Sequence, residues 1–196
     1  MKAAKVITGW LIDNDAIKKE DEELYIYAIS NFVLTLIPVV SVLVFANLIG
    51  HLLEGLLMII PFLVIRKFSG GFHFRSAVLC MVTSITALIL LLIFTVRIAL
   101  LPVFDIGIVL SVISLSLNSP IDSEARRLDE EEISHFKRTA GFIAVSFMII
   151  YMILRAAFII SALQVLIGIA KSLSSGIILA ALLQIPFMFK KRPLEC

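Results

Sequence analysis

The two side chains of this 196-residue chain best suited to covalent chemistry are the thiol of Cys80 and the imidazole of His73, seven positions apart. A thiolate attacks carbonyl carbon well, and a neighbouring imidazole can take the thiol proton and later hand it to a leaving amine. Both lie in residues 66–80, RKFSGGFHFRSAVLC, where hydrophobic sequence gives way to a dense run of basic, small and nucleophilic side chains. On one straight helix the pair would share a face but stand about 10.5 Å apart, with His73 leaning away from Cys80. Contact therefore requires the chain to bend between them, with His73 on a loop. Gly70 and Gly71, directly before the histidine, allow backbone conformations barred to other residues. Cys80 in the first turn of a helix sits at the positive end of the helix dipole, which favours a thiolate, and Arg75 adds positive charge nearby.

Each group also has a plainer role open to it. A lone cysteine in a hydrophobic helix commonly packs as a small apolar side chain, and a histidine near a membrane surface is commonly an interfacial polar group. The convergence of thiol, imidazole, paired glycines and basic residues in one stretch is what favours chemistry. His135 is a second candidate base, whereas His51 falls on the opposite side of the membrane by the charge pattern below. Cys196 is terminal, with nothing to hold it in a catalytic geometry. The three histidines are far apart and no two cysteines are close, so no metal-ligand spacing exists. No phosphate-cradling glycine motif is present, no cofactor is called for, and the dispersed basic residues form no nucleic-acid-binding patch.

The elements that must position these residues are membrane helices. The chain is 60% hydrophobic and 16% charged, against about half and about a quarter in soluble domains. Its mean hydropathy is +1.07. The composition therefore describes an all-α, polytopic integral membrane bundle. Two distant cysteines give no disulfide framework. The lead-in, residues 1–23, has an apolar run over 6–12 too short for a secretory h-region. Lys2 and Lys5 with Val6, Ile7, Trp10 and Leu11 at helical spacing read as an amphipathic helix on the bilayer surface. Asn14 or Asp15 is placed to cap the helix that enters the first span.

Six membrane segments follow in one membrane domain: 27–48, 52–65, 77–96, 101–117, 140–160 and 172–189. The second has only 14 residues and contains Glu54 and Pro61. It covers about 21 Å of a hydrocarbon core about 30 Å thick, so it must borrow from its flanks, thin the bilayer or stop short. The longest polar loop, 118–138, carries Ser123 as the cap of a short surface helix. Of the 17 Lys and Arg, only Arg97, Arg155 and Lys171 fall on one side, leaving 17 − 3 = 14 on the other. This positive-inside asymmetry places both termini and residues 66–75 in the cytoplasm.

RKFSGGFHFRSAVLC resembles the signature of the accessory gene regulator B family (AgrB), bacterial plasma-membrane cysteine endopeptidases of quorum sensing. Residues 17–27, IKKEDEELYIY, are similar to that family's lead-in to the first span. Pro120-Ile-Asp122, with Arg127-Leu128 and Lys137-Arg138, is similar to its central loop. The likeness extends over nearly the whole chain, apart from the terminal Pro193-Leu-Glu-Cys196. It implies removal of the acidic C-terminal tail from a small precursor signalling peptide (AgrD-like) with an amphipathic leader. Cys80 would attack the scissile carbonyl and His73 would serve as base, then acid. A Cys or Ser of the peptide would then attack the resulting thioester and close a thiolactone or lactone. Arg66, Gly70 and Gly71 match further motif positions, and Arg66 would hold the acidic tail by charge-assisted hydrogen bonds. No third member of a triad stands out.

Two other classes stay open on the residues. A small transporter or peptide-export component would use Glu54, Arg155 and Lys171 as pathway groups. A non-enzymatic scaffold would use Cys80 only to pack. Small residues such as Gly168 and Gly176 permit close helix contacts, either in a homo-oligomer or within one subunit.

Overall fold

The structure, a computed structural model, describes residues 2–70, 77–98, 101–121 and 129–184. Among them every regular element is helical. The first helix, α1 (Lys2–Asp13), packs on the helix that follows the lead-in. Ala4 and Thr8, one turn apart, are buried, while Val6, Ile7 and Trp10 are exposed. That division gives α1 one side for the protein and an apolar side for the bilayer surface. Asn14 does not open the next helix. Its amide donates to the Trp10 carbonyl at 2.7 Å and so closes α1, and Asp15 turns the chain at φ 54°. Both residue types bond readily to local backbone, which is why the same side chain suits either end of a helix.

A single 3-10 turn leads into α2 (Glu22–Leu48). Phe32, Leu36, Val40 and Val44 are exposed along it at four-residue spacing, forming a stripe suited to lipid. The next helix, α3 (Leu52–Ser69), has 18 residues, about 27 Å of helix. The short apolar segment has borrowed Arg66 to Ser69 from its flank. The remaining helices are α4 (Ala77–Arg97), α5 (Leu101–Asn118), α6 (Glu130–Ser161) and α7 (Gln164–Leu182). Five helices, α2 and α4 to α7, are long and apolar enough to cross a membrane. The sixth segment, α3, carries Glu54, Arg66 and Lys67. The protein is thus an all-α membrane bundle with an N-terminal amphipathic helix.

Its centre is α7, which packs against α3, α4, α5 and α6. Most of its residues are buried, including Ser172, Ser174 and Ser175. Small side chains let the backbones approach closely where lipid supplies no hydrophobic drive for association. At Gly176 a Cβ would lie 2.1 Å from the Met58 carbonyl oxygen of α3 and 2.7 Å from Pro61. Ser175 shares a 2.6 Å hydrogen bond with Thr95 of α4. Val42, Met58, Ile65, Leu92, Ile108 and Ile177 fill the space between the helices.

Two boundaries differ from the hydropathy reading. The 32-residue α6 begins at Glu130 rather than 140. Its N-cap is Asp129, whose N–H is accepted by the Glu132 carboxylate at 3.3 Å; Ser123 lies outside the described residues. Acidic residues suit a helix N-terminus and good helix formers follow, so one helix continues beyond the apolar stretch. The other difference is α7, which spans 164–182 instead of 172–189, with residues 185–189 outside the described set. Lys171 is therefore inside a helix rather than in a connection. Its Nζ donates to the Ile98 carbonyl at 3.1 Å, satisfying an acceptor at the C-terminal end of α4.

Candidate functional site

The last turn of α3 and the first turn of α4 bound the stretch in which the sequence places the candidate chemistry. Cys80 is the fourth residue of α4 and is half-buried. Its carbonyl accepts from the Thr83 hydroxyl at 3.0 Å, a bond that belongs to the helix and leaves the sulfur out of account. Across from it, Arg66 lies one turn from the end of α3, half-buried, with its guanidinium over the Phe62 ring at 5.8 Å.

Gly70 ends α3 at φ 67° and ψ −158°, a combination essentially restricted to glycine. Space demands glycine as well, since a Cβ there would lie 2.7 Å from the Ile121 carbonyl oxygen. The expected glycine break is therefore present at Gly70. His73, Gly71 and Arg75 lie outside the described residues. His51 pairs with Glu54 at 3.2 Å at the opposite end of α3 from Arg66, roughly 22 Å along the helix axis. His135 is exposed on α6, its ring 5.9 Å from that of Phe136. Phe136 in turn meets Phe68 of α3 edge-on at 6.1 Å, so the start of α6 borders the same end of α3.

The sequence reading missed a polar junction behind Gly70. The Ser69 carbonyl accepts from the Ile121 N–H at 2.9 Å, just past α5. Gln184, two residues beyond α7, reaches the same carbonyl with Nε2 at 3.5 Å and the Ser119 hydroxyl at 2.9 Å. Ser69 and Gln184 are fully enclosed and Ser119 nearly so. The ends of α3, α5 and α7 thus meet where the residues leading to Cys80 begin. A polar Gln at the end of an apolar run was the only hint available from sequence.

The polar groups that suggested transport are each engaged with a neighbour. Arg155 lies 3.6 Å from the Asp105 carboxylate, Tyr151 donates to the same carboxylate, Lys171 bonds Ile98, and Glu54 pairs with His51. The first three contacts join α5 to α6 and α7 to the end of α4, and the His51–Glu54 pair is local to the start of α3.

Neither the curated proteins nor the solved structures contain a significant match to the chain. The family model described as accessory gene regulator B matches residues 4–188. That match takes in α1 to α7 and the whole of residues 66–80, so this chain belongs to the accessory gene regulator B family, whose members take part in maturation of the accessory gene regulator peptide.

Proposed function

We propose that this protein is a membrane cysteine endopeptidase that removes the C-terminal tail of an autoinducing-peptide precursor and promotes its cyclisation. Cys80 is the nucleophile and His73 the acid–base group. The observation that supports this reading is the placement of Arg66 and Cys80 on either side of the glycine-enforced break at Gly70, in the last turn of α3 and the first turn of α4, within a family match over residues 4–188. His73 takes the thiol proton, and the thiolate forms a C–S bond to the scissile carbonyl carbon. As the C–N bond breaks, the imidazolium returns the proton to the departing amine. The products of this half-reaction are the released tail and a thioester on Cys80. A thiol or hydroxyl within the peptide then attacks that thioester, its proton passes through His73 to the Cys80 sulfur, and the ring closes.

Exchange of one thioester for another is nearly balanced, so water must be kept from the acyl group for cyclisation to outrun hydrolysis. A half-buried sulfur at the foot of a membrane helix meets that need. Arg66 supports the thiolate and is also placed to meet acidic groups of the tail, with Gly70, Gly71 and Arg75 as motif support. The positive-inside asymmetry assigns the reaction to the cytoplasmic face. Co-expression of the cognate precursor with Cys80→Ala and with His73→Ala tests the assignment. Each variant leaves the precursor at full mass while Cys196→Ser processes it normally; tail removal by either variant at the parental rate refutes the assigned roles.

A further inference from the structure

We propose that Gln184 is a positioning residue for the Cys80 site, its side-chain amide clamping the Ser69 carbonyl to Ser119 so that the last turn of α3, which carries Arg66, is fixed where the residues leading to Cys80 begin. The proposal rests on the peptidase reading for its consequence in turnover, but its geometry stands on described residues alone. Gln184 is fully buried, and its Nε2 spends its two hydrogens on groups from two different helix ends, the Ser119 hydroxyl at 2.9 Å and the Ser69 carbonyl at 3.5 Å. Its Oε1 is equally enclosed and has no hydrogen-bond partner among the described residues.

An amide in this state is a poor choice for stability. The unmatched carbonyl forfeits about as much as the two donated bonds return, and an apolar side chain of similar volume would fill the space without that cost. What the amide does supply is direction. The Ser69 carbonyl already accepts from Ile121 at 2.9 Å, and the Gly70 N–H donates to the Arg66 carbonyl at 3.2 Å. A second donor on Ser69 fixes the terminal turn from outside the helix, and that turn includes Arg66. Ser69, whose carbonyl Gln184 holds, is the last residue of α3, three positions from Arg66 and directly before the break at Gly70. Gln184 touches neither sulfur nor guanidinium, so its effect is on placement.

The test uses the full chain in lipid nanodiscs on a Cys196→Ser background, so that iodoacetamide reports Cys80 alone. Gln184→Leu keeps the thermal midpoint within a few degrees of the parent, slows Cys80 alkylation at neutral pH several-fold, and slows cleavage of the co-expressed precursor at least as much. Gln184→Glu supplies the second readout, because a carboxylate cannot donate to the Ser69 carbonyl whereas a neutral carboxyl can. Its alkylation rate, relative to the parent at the same pH, rises as pH falls. Parental alkylation rates in Gln184→Leu, or a Gln184→Glu ratio that is flat with pH, overturn the proposal. Slowed alkylation in a protein whose Cys80→Ala form still processes precursor upholds the positioning role and refutes the peptidase reading instead.

Discussion

Arg66 is the residue whose role the structure sharpens most. In the sequence it is a motif position suited to an acidic tail; in the fold its guanidinium lies over Phe62 near the end of α3, at the break before α4. In the proposed site its positive charge favours the thiolate, which is the reactive form in both alkylation and acylation. Arg66→Met is therefore expected to slow iodoacetamide modification of Cys80 several-fold at neutral pH, and Arg66→Lys to recover part of the loss. The recovery is partial because an ammonium is more strongly hydrated than a guanidinium and lacks its planar stacking on the ring. Equal rates in all three proteins would remove any role for Arg66 in activating the thiol.

At the scale of elements, the close crossing of α3 and α7 sets where the last turn of α3 stands. Gly176 is the contact point, with the Met58 carbonyl where its Cβ would be. Gly176→Ala cannot be absorbed by a side-chain rotation, since the obstacle is backbone, and overpacking of this kind costs about 1–3 kcal/mol. A lowered thermal midpoint, with precursor cleavage falling alongside it, is the expected result; an unchanged midpoint would mean that the two helices do not cross so tightly. Gly168, where an added Cβ would meet nothing within 4 Å, serves as the control and tolerates the same change.

Much of this is legible in the sequence, for definite physical reasons. Long apolar runs announce membrane helices because backbone groups in hydrocarbon must bond within their own segment. The length deficit of residues 52–65 likewise foretells that flanking residues are drawn into the second helix. Gly70 can be read as a break because few other residues adopt its backbone conformation. What cannot be read depends on partners remote in the chain. Gln184 and Ser69 are 115 positions apart, and nothing local marks either as half of a contact. Hydropathy marks the apolar part of α6 and not its start, because it registers where lipid ends, whereas Asp129 and Glu132 mark where the helix begins. Asn14 points to the wrong helix because its side chain serves both termini equally well.

The molecule as a whole joins a lipid-facing bundle, a central small-residue helix and an end, bordered by α3, α4 and α6, that is proposed to carry the reaction. The orientation proposed for it rests on the distribution of Lys and Arg. Single cysteines placed at Lys5 and at Gly50, in a background that retains no other thiol, are expected to react with an impermeant maleimide from opposite sides of sealed vesicles. Labelling of both from one side would contradict a crossing by α2 and with it the proposed orientation. The central claim is that Cys80 carries the peptide as a thioester, and it is tested most directly by trapping that species. Purified protein in nanodiscs is mixed with its precursor, quenched in acid within seconds and mapped by mass spectrometry. An adduct on Cys80 equal to the tailless peptide less one water, labile to hydroxylamine and missing in Cys80→Ala, is expected. Tail release without any adduct on Cys80, or at an undiminished rate in Cys80→Ala, would contradict it.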